Sequence, residues 1–552
     1  MWRKVLIILA IVLIAGAGLA WLNRKAIILY LVATRAKDEV GPHQPITWAA
    51  GPAAPDQPLA ERPPNIIFIL ADDLGINDIS TFGGGVAGGR VPTPNIDRLA
   101  ASGAIFRTAY SGTATCAPSR AMLMTGRYPT RTGFEFTPTP DGMGRIVKLF
   151  EDRSDPRRPR IELDRAATET RLPFLEQGLP PEEITLPEIL SAHGYHTVHI
   201  GKWHLGYGDS RPRAQGFAES LDMASGLHLP EDHPDTVNAY LPFDPIDTFL
   251  WARMQYAARF NDGPLMEPGG YLADWWTDES LKVIDANANR PFFLYLAHWG
   301  VHTPLQATRE DYDAVGDIEP HRLRVYAAMV RSIDRSVGRI LDKLDEAGLA
   351  ENTIIVFSSD NGGAGYLGLP EINAPFRGWK ISLFEGGIRV PMFVRWPGRI
   401  PEGTVIDTPV AHVDVMPTLV RAAGAALPEG VPIDGQDILP EATGEGRIER
   451  LDDAIFWSSG YYKVVRAGGW KLQVHERQQQ TWLFNLNDDP TEQVNLAEAE
   501  PAKRAELEAL IAAHWSGARP PLYPSTANLP VLIDKTLADP YEPGDEYIYW
   551  PN

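Results

Sequence analysis

Short, continuously apolar runs alternate along the chain with longer stretches whose apolar residues return at helical spacing. Ile66-Ile67-Phe68-Ile69-Leu70, Pro291-Phe292-Phe293-Leu294-Tyr295-Leu296 and Thr353-Ile354-Ile355-Val356-Phe357 are rich in β-branched and aromatic residues and do not alternate with polar ones. That is the pattern of strands covered on both faces. Between them, Asn95 to Ala100, Ile184 to His193 and Leu323 to Ala347 carry helical periodicity. Strands alternating with helices predict an α/β fold, a mostly parallel mixed sheet sandwiched by helices.

Beyond about Gly424 the pattern changes to Tyr462-Lys463-Val464-Val465, Trp470 to Val474 and Trp482 to Leu486, followed by a helical stretch from Glu500 to His514. These predict a smaller C-terminal domain of antiparallel sheet plus helix. At the other end, Val5 to Leu22 holds no charge and is flanked by Arg3-Lys4 and Arg24-Lys25. At ~1.5 Å per residue it nearly crosses a ~30 Å hydrocarbon core. Its length favours an uncleaved anchor over a signal peptide, although Ala15-Gly16-Ala17-Gly18 would allow cleavage. From Gly41 to Pro64 the chain is rich in proline and alanine and reads as a semi-extended tether. The expected organisation is an anchor or signal segment at 1–25, a linker at 26–64, a catalytic domain at 65–424, a C-terminal α+β unit at 425–515 and a surface-draped extension at 516–552.

A net charge of −20 over 552 residues, with no basic stripe or Cys/His finger spacing, leaves nucleic acid without its electrostatic attraction. Cys116 is the only cysteine, so no intramolecular disulfide forms and stability must come from the core. A free cysteine is by default a small buried hydrophobe.

Polar residues cluster where an α/β sheet keeps its functional loops, after the carboxyl ends of strands. Asp72-Asp73 follows the first strand and Asp360-Asn361 follows another. Such residues also make turns and cap helices. Two pairs at equivalent strand ends nevertheless form an all-oxygen donor set suited to Ca²⁺, and less so Mg²⁺, rather than zinc.

The sharpest signal is Cys116-Ala117-Pro118-Ser119-Arg120, continued to Thr125-Gly126. For a cysteine placed at random, Pro, Ser and Arg at those offsets have a chance on the order of one in several thousand. This segment resembles the signature of the type I, formylglycine-dependent sulfatases of the alkaline phosphatase-like superfamily. Gly194 to Gly206 is similar to that family's other signature, and the likeness extends from Asn65 to about Leu496 through Thr93 to Asp97, Val301 to Gln306, Arg377 to Lys380, Leu383 to Gly387 and Asp414 to Leu419.

The resemblance implies that a formylglycine-generating maturation enzyme oxidises Cys116 to an aldehyde, hydrated to a geminal diol. One hydroxyl would attack sulfur beside Ca²⁺ held by Asp72, Asp73, residue 116, Asp360 and Asn361. The second would let the intermediate expel sulfate. By the same resemblance Arg120 holds the diol, Lys202 and Lys380 grip sulfate oxygens, His302 protonates the leaving group and His204 assists collapse. His298 is a nearby competitor for the acid role. A stacked core histidine is the plainer expectation for it and for His193, His196 and His199.

The implied activity is hydrolysis of an organic sulfate monoester, of a sulfated small molecule or saccharide, at the periplasmic or extracellular face, with the N-terminal segment engaging the membrane. Two alternatives stand beside it: a phosphomonoester or phosphonate hydrolase of the same superfamily, and a silent anchored binding domain. The insertions Gly142 to Gly178 and Ser225 to Gly270 lie between catalytic motifs and are expected to rim the pocket. Trp251, Tyr256, Trp275 and Trp276 are candidates to stack on a substrate ring, although core packing is their commoner use.

Overall fold

Asn65–Ala71 is buried along its whole length because it lies at the centre of a ten-stranded sheet. A computed structural model describes residues 2–35 and 37–552; Met1 and Ala36, within the expected anchor and linker, lie outside the described residues. The central strand pairs in parallel with Phe292–Ala297 on one side and Thr353–Ser359 on the other. His196–Gly201 and Glu219–Gly226 extend the parallel block. Antiparallel strands flank it: Met392–Arg395 beside Thr353–Ser359, and Tyr256–Phe260 beside Glu219–Gly226.

Strand alternation divides the core. Ile67, Ile69 and Ala71 face one apolar cluster with the helices Leu272–Ala286 and His321–Glu346, while Ile66, Phe68 and Leu70 face another with Cys116–Thr125, Leu186–Ala192 and Val415–Ala422. Helices therefore cover both faces, as the apolar runs require. At ~1.5–3 kcal/mol per buried large apolar side chain, these two layers are the main source of stability in a chain without disulfides.

The expected helix from Ile184 starts only at Leu186. Thr185 is its N-cap, and Glu188 bonds back to the Thr185 amide to complete a capping box. The C-terminal sheet has four strands: Ala454–Ser459, unmarked in the sequence reading, pairs with Tyr462–Ala467, followed by Trp470–His475 and Gln480–Asn485. The helix Pro501–Trp515 packs on it.

Two connecting segments are more ordered than expected. The proline-rich stretch is docked rather than free, with Trp48 buried and its Nε1 donating to Glu279 at 2.8 Å. The chain's last stretch does not merely drape: Ala527–Leu532 pairs with Tyr547–Pro551 and, across Ala527 and Asn528, with Glu162–Leu163 of the 142–178 insertion. Pro530 is tolerated because at its position the strand has a neighbour on one side only.

Candidate active site

Four parallel strands deliver their following loops to one edge of the sheet. Asp72-Asp73, Lys202, His298 to His302 and Asp360-Asn361 each follow a strand directly. Backbone bonds continue the ladder into these loops: Asp72 N to Gly300 O at 3.0 Å, Lys202 N to Ala297 O at 2.8 Å and Asp360 N to Ala71 O at 3.1 Å. Gly201 has φ +107°, and a Cβ there would stand 1.9 Å from the Ala297 oxygen, so only glycine lets the chain turn into Lys202 at this point.

Cys116 is the first residue of the helix Cys116–Thr125, whose positive N-terminal end faces the carboxylates. Its Sγ lies 3.4 Å from Asp72 Oδ1 and 3.9 Å from Asp73 Oδ1. Arg120, one turn along, has no exposed surface; it donates through Nε to Asp360 at 2.9 Å, through Nη2 to Asp72 at 3.3 Å and through Nη1 to the Lys202 carbonyl at 2.6 Å. Lys202 Nζ is 2.6 Å from Asp72 Oδ2, and Lys380 Nζ is 2.6 Å from Asp73 Oδ1. Three buried carboxylates thus face three buried cations.

A hard cation fits this donor set. Asp72, Asp73, Cys116 and His302 have ligand atoms within 4.8 Å of one another. Asp360 joins through its Oδ1, which accepts from the Asp73 amide at 3.3 Å. The Asn361 side chain donates to Asp73 Oδ1 at 2.8 Å, while its own Oδ1 is buried with no partner. A buried carboxamide oxygen without a donor is costly unless a cation satisfies it. The three side-chain cations only balance Asp72, Asp73 and Asp360; a divalent ion would leave a net +2 for an arriving anion.

The carboxylates are pushed apart. Burial and the nearby Asp360 raise Asp72 to about 7. Burial acts the same way on Asp73, but Lys380 and His302 outweigh it and hold that carboxyl below the ordinary range. Burial also pushes the Cys116 thiol well above its ordinary value, so as a thiol it is a poor nucleophile.

His302 Nε2 lies 3.6 Å from Asp73 Oδ2, and its Nδ1 donates to the Thr303 carbonyl at 2.6 Å, which fixes the tautomer and leaves Nε2 towards the site. His204 has a buried Nδ1 without a partner and a positive φ of 62°, matched by 61° at Asp73 and 60° at Ile381. Non-glycine residues held there cost on the order of 1–3 kcal/mol and gather at functional sites. Burial keeps both histidines well below their ordinary value, reinforced at His204 by Lys202 and at His302 by Lys380.

The remaining histidines separate cleanly. His298 is buried with Nε2 3.0 Å from Ser336 Oγ, and His199 packs among Trp203, Phe217 and Tyr295. His196 pairs with Glu219 at 2.8 Å. His193, against the core expectation, is exposed at the end of its helix. Trp275 and Trp276 are core residues, and Trp251 lies against Tyr240.

Three functional neighbours were not foreseen. Trp299 stacks on His302 at 4.1 Å and underlies Lys202 at 4.7 Å. Tyr366 donates to Asp73 Oδ2 at 3.0 Å. His412 joins Ser119 of the Cys116 helix, at 3.1 Å, to Ser358 before Asp360, at 2.9 Å. None sits in a spacing that distinguishes it from core packing.

A sulfatase family model matches residues 64–425. The chain belongs to the sulfatase family. A second model, described as the C-terminal region of N-sulphoglucosamine sulphohydrolase, matches residues 378–513 of this sulfatase. N-acetylgalactosamine-6-sulfatase of Canis lupus familiaris is 34% identical over 73% of this chain and 69% of its own. Steryl-sulfatase of Mus musculus is 30% identical over 85% and 84%. The crystal structure of Ps i-CgsB in complex with k-i-k-neocarrahexaose superposes with TM-score 0.68 and 30% identity, covering 84% of this chain and 95% of that one. The protein is therefore a sulfuric ester hydrolase with the α/β sulfatase fold.

Proposed function

We propose that the sulfatase hydrolyses its ester through a formylglycine made from Cys116 and a calcium ion held by Asp72, Asp73, residue 116, Asp360 and Asn361. The observation carrying this reading is the partnerless Asn361 oxygen, buried among three carboxylates beside the lone cysteine. A hydrated aldehyde beside a divalent cation would supply the nucleophilic hydroxyl that a high-pKa thiol does not.

The side chains then divide the remaining work. Arg120, fixed by two carboxylates and a carbonyl, orients residue 116 and contributes positive charge. With Asp72 and Asp73 holding a cation, Lys202 and Lys380 would be free to meet sulfate oxygens and stabilise charge in the transition state. His302, with its Nδ1–H committed to the Thr303 carbonyl, presents Nε2 to the departing oxygen as the atom that must first take up a proton, against the pull of burial, and then pass it on. His204 receives the proton whose loss returns residue 116 to its resting state.

The helix Trp2–Leu22 is 21 residues long, apolar and unburied. We read it as an anchor that holds the enzyme on the periplasmic or outer side of a bacterial-type membrane. We read a catalytic unit at 65–424 and a C-terminal unit at 425–515; the first family match ends at 425, and the second spans 378–513, overlapping it. The names of the relatives include a sugar sulfate and a sterol sulfate, so the substrate class spans sulfated saccharides and small molecules.

Co-expression with a formylglycine-generating enzyme, mass analysis of the residue 116 peptide and turnover of p-nitrophenyl sulfate against p-nitrophenyl phosphate test the reading. The expected result is an aldehyde and preference for sulfate. An unmodified thiol in active protein, or preference for phosphate, sinks it.

A further inference from the structure

A cavity of about 390 Å³ opens from Lys380, Tyr366 and Ile381. It is walled by the 142–178 insertion, by Phe243 to Ile246 and by the C-terminal stretch from Leu529 to Tyr541. Its apolar surface comes from Val147, Phe243, Ile246, Leu529 and Val531. The volume lies in the range of pockets that enclose a drug-sized ligand.

Its charges argue against a polyanionic guest. Apart from Lys380, the basic lining residues are Arg158, Arg160 and Lys535, against Glu151, Asp152, Asp155, Asp244 and Asp539. Each of the three cations is already engaged. Arg160 bonds to the Asp152 and Asp155 carbonyls, Arg158 donates to the Leu537 carbonyl at 3.1 Å, and Lys535 sits 3.0 Å from both Glu542 and Asp545. A second sulfate or a uronate would meet more carboxylates than cations, with Lys535 already paired to carboxylates and the two guanidiniums turned to backbone carbonyls.

The same walls touch the N-terminal helices. Lys25, three positions beyond the end of the apolar helix and so ~5 Å along its axis, lies with Nζ 5.1 Å from the centre of the Phe150 ring. Phe150 ends the helix Met143–Phe150 that contributes Val147 to the cavity. The helix Arg24–Arg35 half-buries Ile28, Leu29, Val32 and Ala33 and packs on Pro245–Arg253, whose Pro245 and Ile246 line the cavity. The following strand of chain is pinned: Asp38 and Gln255 exchange hydrogen bonds of 2.8 and 2.9 Å, and Gly41 N donates to Leu265 O at 3.0 Å. The catalytic unit is thus strapped to the N-terminal helices, with the cavity wall beside the first turn that follows the apolar helix.

We infer that the substrate is a sulfate ester of a membrane-resident alcohol, whose apolar body fills this cavity while its single sulfate reaches Lys380 from the bilayer surface. The inference rests on the sulfatase chemistry and the anchor proposed above. Water is the co-reactant: the sulfur–oxygen bond breaks, sulfate leaves to solvent and the alcohol, having taken a proton, returns to the membrane.

The test uses the full-length, matured enzyme in phosphatidylcholine vesicles. Cholesteryl sulfate is placed in the same or in separate vesicles, with p-nitrophenyl sulfate and a monosulfated disaccharide as soluble comparators. The expected result is hydrolysis of cholesteryl sulfate at least about tenfold faster in shared vesicles. Ile246→Asp, and independently Leu529→Asp, should lower that rate about tenfold, the scale of a lost apolar contact, while p-nitrophenyl sulfate turnover stays within about twofold. Retained p-nitrophenyl sulfate turnover in both variants also shows that they fold. Turnover of p-nitrophenyl sulfate without cholesteryl sulfate, equal rates in shared and separate vesicles, or a disaccharide rate that exceeds the lipid rate overturns the inference and leaves the sulfatase chemistry standing. Failure of p-nitrophenyl sulfate as well overturns that chemistry, and the inference with it.

Discussion

Lys471 and Glu385 form a 2.9 Å ion pair in which neither side chain has exposed surface. Lys471 also holds Glu492 at 2.9 Å, and Tyr110 donates to Glu385 at 3.0 Å. Glu385 opens the short helix that follows the Lys380 loop, so this pair fastens the four-stranded sheet to a segment of the active site. Removing one partner of a buried pair strands the other charge, at about 3–5 kcal/mol. Lys471→Met should therefore lose about that much stability in denaturant unfolding, and adding Glu385→Gln and Glu492→Gln should restore part of it.

If His302 protonates the leaving oxygen, its loss matters most when that oxygen is basic. His302→Gln should lower kcat for an alkyl sulfate by about 10²–10⁴. The drop for p-nitrophenyl sulfate, whose leaving group needs little help, should be much smaller. An equal drop for the two substrates would assign His302 to binding instead.

Chelation tests the donor set. EDTA treatment should abolish p-nitrophenyl sulfate turnover, and calcium should restore it better than magnesium. Calcium should also raise the thermal midpoint, because a ligand of the folded state stabilises it by mass action. Asn361→Ala should weaken calcium binding measured by calorimetry and leave the unfolding midpoint in EDTA little changed.

Asp78 offers a pH signature away from the ligands. It accepts from Tyr326 at 2.5 Å and from Gly75 N at 2.8 Å, and burial pushes it up to about 8. The folded protein keeps a proton that the unfolded chain releases near pH 4, so this group's contribution to stability falls as pH rises from about 4 to 8. Asp78→Asn should flatten that slope: relative to the variant, the parent should unfold more easily at pH 8 than at pH 5. A constant difference across this range would show that Asp78 is ionised in the folded state.

Much of the site was legible because its chemistry is carried by residues with few other uses in those positions. Asp72-Asp73 and Asp360-Asn361 announced themselves as polar groups ending apolar strands, and the Cys116 to Arg120 segment by its spacing. His412, Tyr366 and Trp299 were not legible. Each is an ordinary core residue in sequence, and its importance arises only when distant strands bring Ser358, Asp73 or His302 against it. The same holds for Trp48, whose place in a proline-rich stretch gave no sign that Glu279 waits 231 positions away. The C-terminal strands Ala527–Leu532 and Tyr547–Pro551 were hidden for another reason: they pair chiefly with each other, and prolines within both interrupt the pattern a strand would show.

Cys116 is only 3% exposed, sealed beneath loops from four strands. The folded sulfatase presents this stretch as a buried helix, out of reach of another protein. If residue 116 is oxidised as proposed above, the oxidation would belong to the interval between synthesis and closure of the sheet. On that reading, a molecule that folds first would keep every contact and lack its nucleophile until it unfolds again.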